Sequence, residues 1–137
     1  MPVARGSFKV DLEYGLTREN DVLQKIKNFF NDDTISKTSG RFCKYDFESP
    51  TCKYELKSRK NKYRAYPTTI IPCNKIVDGK LIFLFNFTDG LYYIEYDREI
   101  FDRFETIEMT DYRAGRYGQV ALHFAIPINF LKNIDMN

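Results

Sequence analysis

Apolar side chains at Val22, Leu23, Ile26, Phe29 and Phe30 recur at the spacing of one helical face, so residues 18–30 are expected to form an amphipathic helix. Thr17 stands where an N-cap oxygen is wanted. Farther along, Lys80–Phe87 is a nearly continuous apolar run, as in a strand covered on both faces, and Thr88-Asp89-Gly90 has the composition of a tight hairpin turn. Residues 91–97 alternate enough to leave one face toward solvent and are the expected partner strand. A short helix around 98–104, a strand around 119–126 and a last helical turn near 129–134 complete the pattern. Residues 67–77 stay unassigned, because Pro67 can start a helix that Pro72 would break by removing a hydrogen bond. The lone His123 lies inside an apolar strand and reads as a satisfied core histidine rather than a catalytic base.

Two more strands are expected on either side of a turn at Ser49-Pro50, with Asp46 on the first and Glu55 and Lys57 on the second. Successive side chains of a strand point to opposite faces, so Glu55 and Lys57 share one face while Tyr54, Leu56 and Ser58 take the other. The same rule sets Asp46 apart from Tyr45 and Phe47. If the connecting loop has an even number of residues, cross-strand partners have numbers summing to an odd value, and Asp46 joins the face of Glu55 and Lys57. A patch of two carboxylates and an amine suits magnesium, which takes carboxylate, water and phosphate oxygens. The Leu56 backbone carbonyl is a candidate third ligand. Such a metal lowers the pKa of a bound water and stabilises charge on an attacked phosphate, while Lys57 can orient or deprotonate that water. A Glu-x-Lys triplet is also common as a plain solvated pair. Asp78-Gly79-Lys80 has the same acid-x-Lys form and reads as an ordinary turn into a strand; Asp46 at hairpin distance sets the Glu55 triplet apart.

Glu19 lies three, four and seven residues before Val22, Leu23 and Ile26, at the edge of the buried stripe. A carboxylate there needs a partner, whether a metal site or a basic side chain. An acid in a first turn also complements the helix dipole, worth about 0.3–1 kcal/mol.

The order Gly15-Leu16-Thr17-Arg18-Glu19 opening a helix, then Tyr45-Asp46-Phe47, then Tyr54-Glu55-Leu56-Lys57, resembles the PD-(D/E)XK nuclease superfamily. Within it, the spacing is most similar to the small phage endonucleases that resolve Holliday junctions, over roughly residues 13–60. The resemblance implies a restriction-endonuclease-like α/β core of helix, mixed sheet and second helix. It further implies Glu19, Asp46 and Glu55 as metal-site acids, Lys57 as the catalytic lysine, and Mg2+ or Mn2+ as cofactor. No proline precedes Asp46, and Pro72 obscures the helix expected after the lysine strand.

With 137 residues, 43% of them apolar, the chain can bury one core but not two, so residues 1–137 are expected as a single α/β domain with a mixed sheet flanked by helices. No signal-peptide pattern and no apolar run of membrane-spanning length is present, so a soluble intracellular protein without a membrane partner is expected. Cys43, Cys52 and Cys73 lack paired metal-site spacing and read as reduced thiols, with a Cys43–Cys52 disulfide left open. The net charge of +2 is small, so its distribution matters more. Lys53, Lys57, Arg59, Lys60, Lys62 and Arg64 crowd one segment against Glu55, with Tyr54 and Tyr63 interleaved. Arg59, Lys60, Lys62 and Arg64 are therefore candidate phosphate contacts, the plain alternative being a solvated basic loop. Lys75 joins them if a helix resumes after Pro72, as do Arg113 and Arg116 of the glycine-containing loop at 111–118. The expected activity is Mg2+-dependent hydrolysis of phosphodiester bonds in DNA, branched DNA included, with a homodimer as a candidate assembly. Its rival is a non-enzymatic nucleic-acid-binding protein on a nuclease-like fold. A structural protein of a virus or phage has only the small size and the Tyr, Phe and Asn content in its favour.

Overall fold

The computed structural model describes residues 18–39, 45–111 and 119–135; Thr17, Cys43, Arg113 and Arg116 lie outside them. The first helix, α1, covers residues 18–29 and buries Val22 and Ile26. It stops at Asn31, whose φ of 51° is a left-handed conformation that asparagine tolerates better than most side chains. The Asn31 N–H then donates to the Asn28 carbonyl at 3.3 Å and the Asp32 N–H to the Lys27 carbonyl at 3.0 Å, satisfying acceptors that the last turn leaves open.

Nine strands follow among the described residues: β1 (Ser36–Lys37), β2 (Phe47–Glu48), β3 (Cys52–Ser58), β4 (Thr68–Pro72), β5 (Lys80–Phe87), β6 (Gly90–Glu95), β7 (Glu105–Asp111), β8 (Gln119–Pro127) and β9 (Lys132–Asn133). Six of them form one mixed sheet in the order β1-β2-β3-β5-β6-β9, and three form a second in the order β4-β8-β7. Only β3 and β5 run parallel within the larger sheet. Their crossover passes through the second sheet: β4, then a single 3-10 turn at Cys73–Lys75, then the turn before Lys80. That last turn needs Gly79, whose φ of 94° is costly for any residue with a Cβ.

The architecture is mixed α/β, with a second sheet and few helices where a sheet flanked by helices was expected. No α-helix occupies 67–77, only the 3-10 turn at Cys73–Lys75, because Pro72 fits the end of an extended strand, with φ −60° and ψ 136°, and pairs opposite His123. β7 carries only a brief alternation, Ile107 and Met109 between Thr106, Glu108 and Thr110, and the two apolar side chains are 39% and 40% exposed. Near the C-terminus the expected helical turn is a 3-10 turn at Ile128–Phe130 followed by β9.

Side-chain alternation builds two cores from one sheet. Ile82 and Leu84 of β5 join Val22 and Ile26 of α1, together with Phe47, Cys52 and Tyr54. Leu81, Phe83, Phe85 and Phe87 face the other way and meet Ile71 of β4, Ile126 of β8 and Phe101. Phe101 ends the short helix α2 (Arg98–Phe101), which Asp97 caps by accepting from the Glu99 and Ile100 N–H groups. The nearly continuous apolar run of β5 thus serves two layers, at about 1.5–3 kcal/mol for each large side chain buried.

Candidate functional site

The register of β2 against β3 decides where the acids lie. Phe47 pairs with Tyr54 and Glu48 with Lys53, while Ser49 and Cys52 exchange both backbone bonds around Pro50-Thr51. This is an even loop, and it brings Asp46 to the level of Glu55 as the alternation rule requires. Regular pairing gives way at that point. The Asp46 N–H donates to the Tyr54 carbonyl at 3.0 Å, and its carboxylate Oδ2 accepts the Leu56 N–H at 2.7 Å in place of a backbone acceptor. Thr38 holds the segment, its N–H donating to the Asp46 carbonyl at 3.1 Å and its hydroxyl to the Tyr45 carbonyl. A residue's N–H and C=O leave an extended strand on the same side, so the Leu56 carbonyl faces the edge that Asp46 occupies.

Glu55 is 4% exposed. Its neighbours Tyr54 and Leu56 pack toward α1, so Glu55 points into the layer between the two sheets. Lys57 reaches its Oε1 from the same strand and Lys75 reaches it from the 3-10 turn after β4, each with Nζ at 3.6 Å. Oε2 is buried and, among the described residues, has no hydrogen-bond partner. Burial pushes the Glu55 carboxyl above the usual carboxylate range, the Asp46 charge adds to this, and Lys75 and Lys57 oppose it. Asp46, Glu55, Lys57 and Lys75 therefore form one electrostatic cluster.

Tyr45 belongs to it as well, although its sequence neighbourhood gave no sign of this. It packs into the core between the sheets, and its hydroxyl donates to the Lys75 carbonyl at 3.5 Å. The Lys53 ammonium lies 5.4 Å from the centre of its ring. Burial and then the Glu55 charge raise the Tyr45 hydroxyl above its ordinary value. Strict alternation would separate Tyr45 from the Glu55 face; the irregular pairing at Asp46 is what carries it there.

Other expected site residues lie elsewhere. Glu19 is on α1, which packs against the Tyr54 face of the sheet, and its carboxylate is 3.9 Å from Lys37. It is a helix acid with a basic partner, and among the described residues no three His, Cys, Asp or Glu side chains converge as a metal-holding group. Arg59 is turned inward. Its guanidinium donates to the Thr69 hydroxyl at 3.2 Å and the Ile70 carbonyl at 2.6 Å, lies over Phe85, and is lowered from its ordinary value by burial. Lys60, Lys62 and Arg64 are exposed, as a phosphate-contacting loop requires. His123 is half-buried with Nδ1 3.1 Å from the Ala121 carbonyl, and Cys52 and Cys73 are free thiols.

The donors present fit a hard divalent cation: a buried carboxylate oxygen without a donor, a second carboxylate beside it, and a backbone carbonyl on the same edge. A cavity of about 490 Å³ between the start of α1 and the β5–β6 turn shares none of these residues and is lined by charges such as the Lys25–Asp135 pair, 3.0 Å apart. No described helix is long and apolar enough to cross a membrane. Compared with known proteins, the chain matches no family model, and no curated protein or solved structure is significantly similar to it.

Proposed function

We propose that the protein is a divalent-metal-dependent phosphodiesterase that cleaves DNA, with its site on a restriction-endonuclease-like core. The observation that carries this reading is the unpaired Oε2 of Glu55, buried beside Asp46 while two lysines crowd the other oxygen. A salt bridge that served stability alone would place donors on both oxygens, because an unsatisfied buried oxygen costs about 1–3 kcal/mol. Asp46, Glu55 and the Leu56 carbonyl would hold Mg2+ or Mn2+, which when bound supplies a water of lowered pKa and charge for the phosphate. Lys57 would orient that water or, once its own ammonium is deprotonated, take its proton, and Lys60, Lys62 and Arg64 would contact the phosphate backbone. Glu19 has no part in this site.

The test is cleavage of a substrate panel of duplex, branched and single-stranded DNA and of RNA, with Mg2+ or Mn2+ and an EDTA control. Metal-dependent cleavage of DNA is expected. Binding without cleavage on every substrate would leave a nucleic-acid-binding protein on a nuclease-like fold.

A further inference from the structure

We infer that Lys75 is a charge gate that makes metal binding at Asp46 and Glu55 depend on the nucleic-acid phosphate, an inference that rests on the metal-site reading above. Two ammonium groups, Lys57 and Lys75, each lie 3.6 Å from the same Glu55 oxygen, and Glu55 also feels the charge of the Asp46 carboxylate, which gives two acids and two bases in the cluster. The cluster is therefore close to neutral before any ion enters. A divalent cation alone leaves it with an excess of two positive charges, which a phosphodiester arriving with the metal reduces. Metal and phosphate then favour each other's binding, and by linkage the effect is equal in both directions.

Lys57 shares a strand with Glu55, whereas Lys75 is brought in from the second sheet. Its turn is closed by the Ile76 N–H donating to the Cys73 carbonyl at 3.4 Å, and its own carbonyl accepts from the Tyr45 hydroxyl at 3.5 Å. The chain thus places a second cation against a carboxylate that Lys57 already serves. One unit charge about 6 Å from a divalent ion, even at the dielectric constant of water, changes affinity about tenfold.

Calorimetric titration of the full chain with Mg2+, without nucleic acid, tests this. Lys75→Ala is expected to bind Mg2+ about tenfold more tightly than wild type, and Lys75→Arg to restore the weaker affinity. Lys80→Ala, which removes a lysine paired instead with Glu95, is expected to bind as wild type does. In a Lys57→Ala background, in which cleavage is expected to be slow, a DNA oligonucleotide should tighten Mg2+ binding more when Lys75 is present than when it is Ala. Thermal melts of Lys75→Ala and Lys75→Gln check that the fold is kept. Unchanged or weaker Mg2+ affinity in both folded variants overturns the gate, and absence of Mg2+ binding in wild type and variants overturns the metal site with it. The predicted affinity shifts without cleavage of any nucleic acid would uphold the gate and reject the nuclease reading.

Discussion

A carboxylate 4% exposed with one oxygen lacking a donor destabilises the fold that holds it, and Glu55 is kept there against that cost. The sign of its pH dependence follows from its raised carboxyl. The folded state binds this proton more readily than the unfolded chain, so the Glu55 contribution is most favourable near pH 4 and is lost as pH rises through the raised value. Glu55→Gln, which never ionises, should therefore gain in melting temperature over wild type as pH increases from about 4.5 to 8, in metal-free buffer. A gain that shrinks with pH would mean that Lys57 and Lys75 outweigh burial. At this scale the sequence was informative in proportion to how local the geometry is. Glu55 and Lys57 follow from strand alternation, and Asp46 from the even loop. Lys75 depended on a turn that the pattern around Pro72 left open, and Tyr45 on an irregularity in pairing that no residue type announces. For Glu19, helical spacing shows which side of a helix is buried but not which face of the sheet receives it, and α1 packs on the Tyr54 face.

Among the elements, those with strong apolar periodicity were legible: α1, β5 and its hairpin partner β6 all stand where the pattern puts them. Of the second sheet only β8 was, as the strand expected around 119–126; β4 starts just after Pro67 and ends on Pro72, and β7 exposes its apolar side chains. Arg59 ties the end of β3 to β4 through the Thr69 hydroxyl and the Ile70 carbonyl. Charged hydrogen bonds of this kind contribute about 1.5–3 kcal/mol, so Arg59→Ala should lower unfolding free energy in urea by about that much. Lys60→Ala, one residue on and exposed, should stay within about 0.5 kcal/mol of wild type. Equal stability of the two variants would contradict the inward role of Arg59.

For the whole molecule, a net charge of +2 is too small to make the entire surface attract nucleic acid, so the proposed DNA binding assigns the contacts to the loop with exposed Lys60, Lys62 and Arg64. Each duplex phosphate contact contributes about −0.9 to the slope of log affinity against log salt, and neutralising two of these residues should flatten that slope by about two units. A slope that does not change would mean that they are solvated rather than in contact. The central claim, that Glu55 and its partners perform metal-assisted hydrolysis, is tested most directly by single-turnover cleavage of DNA by Lys57→Ala at saturating Mg2+, with affinity measured on the same substrate. General acid–base groups contribute about 10²–10⁴-fold, so the rate should fall by that factor while affinity stays within a few-fold. Cleavage at the wild-type rate by the folded variant would contradict the account.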